Sequence, residues 1–163
     1  MRSASLNTLR YSDVVYGRGK NKLIRSVLVL CTGNSCRSQM AEAYFRKFTE
    51  GHWRCESAGT QPTGYVHPLA IRTMGEDAID IAAHKSKSLS AFEAEDWNYV
   101  VTVCDGAAET CPVFTGAELL LHWPFPDPAD ASGSKEKQLT AFRDTRDAIK
   151  RRVGEFVREL MVD

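Results

Sequence analysis

The sequence predicts a single doubly wound α/β domain, on three observations. Apolar runs of strand length alternate with stretches whose apolar residues recur at three- and four-residue spacing. The first run, residues 27–30, is Val-Leu-Val-Leu without a polar break, the pattern of a strand buried on both faces of a parallel sheet. With 163 residues, 43% hydrophobic and 26% charged, the chain is long enough for one sizeable core and too apolar to be wholly disordered.

Residues 1–24 stand apart as an N-terminal extension, which places the domain at 25–163. The extension is polar, with Arg2, Arg10, Arg18, Lys20 and Lys22 against the acid Asp13. Such a composition suits a loosely ordered segment, and its Arg- and Ser-rich start also resembles a transit peptide. After the strand at 27–30 comes the turn Thr32-Gly33-Asn34-Ser35. A helix follows from about 37 to 49, with Met40, Ala41, Tyr44 and Phe48 on one face. Residues 53–57 form a second strand that Ala58-Gly59 ends. Leu69, Ile71, Met74 and Ala78 mark a helix over 68–78. Strands are expected at 99–103 and 118–122. A last helix over 137–161 carries Leu139, Phe142, Ile149, Val153, Phe156 and Leu160 along one side.

Composition excludes several classes. Lys+Arg and Asp+Glu both number 21, so no basic surface recommends nucleic acid as a ligand. The longest apolar run is far short of a membrane span. No apolar signal-peptide core lies near the N-terminus, so the five cysteines are read as reduced thiols of a cytoplasmic protein. The histidines show no metal-ligand spacing with the cysteines, and no metal ligands are assigned.

Chemistry concentrates in Val27-Leu-Val-Leu-Cys31-Thr-Gly-Asn-Ser-Cys36-Arg37-Ser38. A buried strand delivers Cys31 to the carboxyl end of the sheet, where ligands bind in open α/β folds, and a helix begins six residues later. The loop Thr32, Gly33, Asn34, Ser35, Cys36, Arg37, Ser38 is predicted to aim backbone N–H groups into one hollow, with the helix dipole adding positive potential. Gly33 permits close backbone approach and Asn34 tolerates a left-handed conformation. Arg37 supplies a planar fork for a tetrahedral oxyanion. The same field is expected to lower the Cys31 pKa towards a thiolate near neutrality, with Ser38 adding a hydrogen bond. Cys36 and Cys55 are read as packing residues.

Two further thiols, Cys104 and Cys111, stand seven positions apart after the third strand. On a regular helix that spacing is about 10 Å, beyond the ~7 Å that a disulfide allows between Cα atoms. A bond between them would require the segment to loop out, which Asp105-Gly106-Ala107-Ala108 and Pro112 permit. The spacing alone leaves two semi-buried cysteines or a redox pair. Asp127 lies in the proline-braced Trp123-Pro-Phe-Pro126-Asp127-Pro128. The prolines restrict the backbone around its carboxyl, as a turn residue or as a general acid.

Cys31-Thr-Gly-Asn-Ser-Cys-Arg-Ser-Gln-Met-Ala-Glu42 resembles the active-site loop of the low-molecular-weight protein tyrosine phosphatase superfamily. Within it the chain is most similar to the thioredoxin-coupled arsenate reductases. Glu56-Ser57-Ala58-Gly59, the cysteine segment, and His122-Trp123 before Asp127-Pro128 extend the likeness over about 26–160. The resemblance implies a four-stranded parallel sheet flanked by helices, and Cys31 as nucleophile, Arg37 as oxyanion ligand and Asp127 as acid. It also implies a relay through Cys31, Cys104 and Cys111 that reduces arsenate, recycled by thioredoxin, with glutaredoxin and glutathione as the alternative reductant. No bound cofactor is expected, and the protein is expected to be a monomer. Asn34, Glu42 and Ser57 correspond to positions that help bind potassium in related reductases, but Lys87, whose ammonium is a poor neighbour for a cation, stands where those proteins have an Asp, so the resemblance leaves potassium dependence in doubt. Phosphatases of the superfamily commonly carry tyrosines after their Asp-Pro; Ala129-Asp130 follow here. The rival readings are a phosphatase on the same site and a non-catalytic arsenite-binding thiol protein.

Overall fold

The computed structural model describes residues 24–104 and 116–162. The expected extension and Cys111 therefore lie outside the described residues, apart from position 24. Strand β1 (Ser26–Cys31) leads through the loop to helix α1 (Arg37–Phe48). Then come β2 (Arg54–Gly59), α2 (Pro68–Glu76), β3 (Trp97–Thr102), β4 (Ala117–His122) and α3 (Lys135–Met161). The four strands form one parallel sheet in the order β2-β1-β3-β4. In register, Cys31 stands opposite Gly59, and Leu30 opposite Thr102.

Central β1 is fully enclosed. Val27, Leu28, Val29 and Leu30 are all 0% exposed, and because successive strand residues point to opposite faces, both faces of the sheet are covered there. Each such side chain contributes about 1.5–3 kcal/mol relative to exposure. α1 and α3 pack together, and α2 packs on α3. Their shared core is aromatic: Phe45 stacks against Trp53 and Trp123, while Phe156 meets Phe45, Tyr99 and Trp123 edge-on.

The element boundaries move for local reasons. α2 stops at Glu76, short of 78, because Ala78 adopts a left-handed φ of 58°. The Tyr44 hydroxyl and Lys150 pin Asp77 at this corner. The second strand runs to Gly59, and the third starts at Trp97. The apolar run in β4 suits a buried strand, yet Leu119 and Leu120 are 47% and 55% exposed, since β4 is the sheet edge. α3 starts two residues earlier than its apolar face suggests, because Ser134 caps it by accepting from the Lys137 N–H.

Candidate active site

The loop between β1 and α1 is shaped from outside. Six consecutive carbonyls, from Cys31 to Cys36, accept hydrogen bonds from the surrounding scaffold. Thr60, Gln61 and Thr63 donate their N–H groups to the carbonyls of Cys31, Thr32 and Gly33, and His67 donates its N–H to Ser35. The Ser86 hydroxyl adds a second bond to the Gly33 carbonyl, and the Gln39 amide takes that of Asn34. With the carbonyls turned outward, the N–H side of the loop faces the hollow. The start of α1 has no side-chain cap, so its first N–H groups are left for a ligand. The loop of Thr32, Gly33, Asn34, Ser35, Cys36, Arg37 and Ser38 thus has its carbonyls engaged from outside, the arrangement that the predicted anion cradle requires.

Cys31 lies at its floor, 3% exposed. Its sulfur is 2.8 Å from the Ser38 hydroxyl and receives the Asn34 N–H at 3.1 Å. Asn34 has the left-handed backbone expected of it, with φ 48°. Its Nδ2 donates to both Ser38 and Ser57, at 2.8 and 2.9 Å. Each serine therefore accepts from Asn34 and keeps its own proton to give. Ser38 gives it to the Cys31 sulfur, and Ser57 to a Glu42 carboxylate oxygen.

One electrostatic expectation is corrected. The Cys31 pKa is raised in this structure, because desolvation of the buried sulfur outweighs the bonds from Ser38 and Asn34, and Cys104 adds to the rise. Arg37 does not offset it. Its NH1 donates to the Phe125 carbonyl and its NH2 pairs with Asp127, each at 2.9 Å. Asp127 is therefore the counter-ion of Arg37, and its other oxygen accepts the Ala129 N–H. Both sequence readings of Asp127 meet in one carboxylate: it forms the turn and it faces the site.

Cys104 follows β3, with its sulfur 3.4 Å from the Thr32 hydroxyl, which places a second thiol at the rim of the cradle. Burial pushes the Cys36 and Cys55 thiols up to about 12, in keeping with packing roles. Lys87 lies among the carboxylates behind the loop. Its ammonium lies 2.8 Å from Glu56 and 3.5 Å from Glu42, while Arg46 binds the other oxygen of Glu42. No group of three or more His, Cys, Asp or Glu side chains placed to hold a metal ion occurs among the described residues.

Three supporting residues were not foreseen. Gln39, fully buried, donates from Nε2 to Asn34 and Lys85, which leaves its Oε1 to accept from His84 Nδ1 at 3.1 Å. Gly59 is required by space: a Cβ there would lie 2.5 Å from the Thr32 carbonyl oxygen and 3.0 Å from the Asn34 nitrogen. Gly59, the last residue of β2, is visible in the sequence as a strand end, but only the register places it under the loop.

Residues 26–163 match the low molecular weight phosphotyrosine protein phosphatase family. The chain is 40% identical over 130 residues to an arsenate reductase of Halalkalibacterium halodurans, covering 80% of this chain and 93% of that relative. It is 39% identical over 137 residues to an arsenate reductase of Bacillus subtilis, covering 84% and 96%. Among solved structures, an arsenate reductase in its phosphate-binding state superposes with a TM-score of 0.72 at 32% identity, covering 83% of this chain and 98% of that one. The chain belongs to the low molecular weight phosphotyrosine protein phosphatase family.

Proposed function

We propose that the protein reduces arsenate to arsenite by a thiol–disulfide relay through Cys31, Cys104 and Cys111, recycled by thioredoxin. The observation that carries this reading is the Cys104 sulfur beside Thr32, a second thiol on the rim of an oxyanion cradle whose floor is Cys31. A phosphatase of this family has no need of a thiol there. The arsenate reductases among the relatives support the same reaction.

Arsenate is held by the loop N–H groups and by Arg37, which must release Asp127 to receive it. The Cys31 thiolate attacks arsenic, and Asp127 in its protonated form gives a proton to the departing oxygen as water. Cys104 then attacks the Cys31 sulfur. The arsenic–sulfur bond breaks with its electron pair passing to arsenic, giving arsenite and a Cys31–Cys104 disulfide. Cys111 attacks Cys104, which frees the Cys31 thiolate and leaves a Cys104–Cys111 disulfide. A thioredoxin dithiol reduces that bond, with glutathione and glutaredoxin as the alternative donor. The Lys87 ammonium against Glu42 and Glu56 argues against a requirement for a monovalent cation. The protein acts as a cytoplasmic monomer.

A second reading, hydrolysis of a phosphomonoester, is favoured by the cradle itself, which fits phosphate as well as arsenate. NADPH consumption with arsenate, thioredoxin and thioredoxin reductase separates the two. Sustained turnover by the native chain, falling in Cys111→Ser to at most one event per molecule, supports the relay. Hydrolysis of phosphotyrosine analogues without arsenate turnover under either reductant would replace it.

A further inference from the structure

His67 stands where α2 meets the oxyanion loop, and its imidazole does there what an oxygen usually does. Its Nδ1 accepts the Leu69 N–H at 3.1 Å and so caps α2, whose first residue is Pro68. Its backbone N–H, not the ring, donates to the Ser35 carbonyl at 2.9 Å. Helix cap and loop anchor are thus the same residue. The ring lies 4.7 Å from that of Phe142 on α3. Together with Leu69, Pro128, Ala129 and Gln138 it lines a recess of about 80 Å³ beside the Asp127 turn.

An imidazole caps a helix only while Nδ1 keeps its lone pair, so neutral His67 carries its proton on Nε2. A second proton would fill the lone pair and set a donor against the Leu69 N–H. Burial holds the His67 pKa below its ordinary value, while the nearby charge of Asp127 pulls it upward. The other surfaces against the ring are uncharged: Phe142 and Gln138 from α3, Pro128 and Ala129 from the turn.

We propose that His67 is a positioning residue for the oxyanion loop: as a neutral cap it fixes the start of α2, and with it the backbone N–H that holds Ser35, and on gaining a proton it frees the cap and so loosens that anchor. The inference rests on the reading of this loop as the arsenate site. A device of this kind acts on binding before it acts on chemistry, so it belongs to KM more than to kcat.

The test uses the full chain, with arsenate turnover and calorimetric binding of inorganic phosphate for the native protein, His67→Ala and His67→Asn. His67→Ala should raise the arsenate KM about fivefold, the equivalent of one lost helix cap, with a smaller fall in kcat. Asn keeps an acceptor at the cap and does not titrate, so His67→Asn should return KM to near the native value. As pH falls from about 7.5 towards 5.5, the native KM should rise relative to that of His67→Asn. Taking the ratio cancels the ionisation of arsenate and of Cys31. Unchanged KM and phosphate binding in His67→Ala, or parallel pH profiles for native protein and His67→Asn, would overturn the inference. If His67→Ala fails to fold, the pH comparison decides. A native chain that bound neither arsenate nor phosphate would instead remove the loop reading, and this inference with it.

Discussion

The Ser38 hydroxyl lies 2.8 Å from the Cys31 sulfur and accepts the Asn34 amide at 2.8 Å, so its one proton points at the nucleophile. A hydrogen bond to an ionised partner is worth about 1.5–3 kcal/mol, or roughly one to two pKa units. Burial already raises the Cys31 pKa, so the rate of the first step should climb as pH rises through that value and fall as pH drops. Ser38→Ala should push this rising limb about one unit further alkaline and slow arsenate reduction about tenfold near neutrality. Ultraviolet absorbance of the thiolate across a pH series, with Cys31→Ser as blank, locates the limb. An unmoved limb would show that the serine only packs.

Cys31, Cys36 and Cys55 all have pKa values above the ordinary thiol value of 9.0 in the folded chain. The fold therefore holds protons that the unfolded chain gives up, so the contribution of these thiols to stability should be complete below about pH 8 and be lost as pH rises past about 9. Urea midpoints measured under reducing conditions should fall over that range. Cys55→Ala, whatever its cost at neutral pH, should make the decline shallower.

Arg37 and Asp127 are joined by an ion pair and must part for arsenate to bind. Asp127→Asn removes the proton donor and should lower kcat by about 10²–10³-fold, without raising the KM. Arg37→Lys keeps the charge but loses the planar fork, and should raise the KM at least tenfold. Steady-state kinetics of the two variants distinguish them; equal effects on both constants in both variants would contradict these roles.

Lys87 sets its ammonium against Glu42, which is 2% exposed. Replacing it with Met should cost about 1 kcal/mol, seen as a fall of roughly 2–4 °C in Tm. Lys87→Asp goes further, since it restores the oxygen ligand of potassium-binding relatives. That variant should gain Tm and activity on addition of potassium, where the native chain shows no response. Thermal melts in potassium against choline chloride make the comparison.

Gly59 has no room for a side chain beneath the loop. Gly59→Ala should move Thr32 and Asn34, cost about 1–3 kcal/mol in stability, and weaken phosphate binding as well. Calorimetric titration with phosphate checks the second effect.

The strand–loop–helix around Cys31 was legible because its signals are local: a continuous apolar run, a glycine and a basic residue at fixed spacing. Asn34, Ser38 and Arg37 fall where that pattern puts them. What escaped was carried by contacts between distant segments. Gln39 reads as one more polar residue on a helix, yet the fold buries it behind Asn34. His67 precedes a proline at a helix start, where an oxygen side chain is the usual cap. The depressed pKa expected for Cys31 followed from charge and dipole alone; burial, which only the packed structure supplies, reversed it. The leucines of β4 look like core until sheet order places them at an edge.

The outward-facing carbonyls of the loop have a consequence for how the molecule matures. Thr60, Gln61, Thr63, His67 and Ser86, which hold four of them, come later in the chain than the loop, and Ser86 is separated from Gly33 by 53 positions. During synthesis the loop is thus translated well before the groups that fix its curl. Until β2 and the segment after it have docked, Cys31 is an ordinary flexible thiol with no anion hollow above it. The reactive centre is a late product of folding, and a chain cut short before Ser86 would carry the whole signature motif without its chemistry.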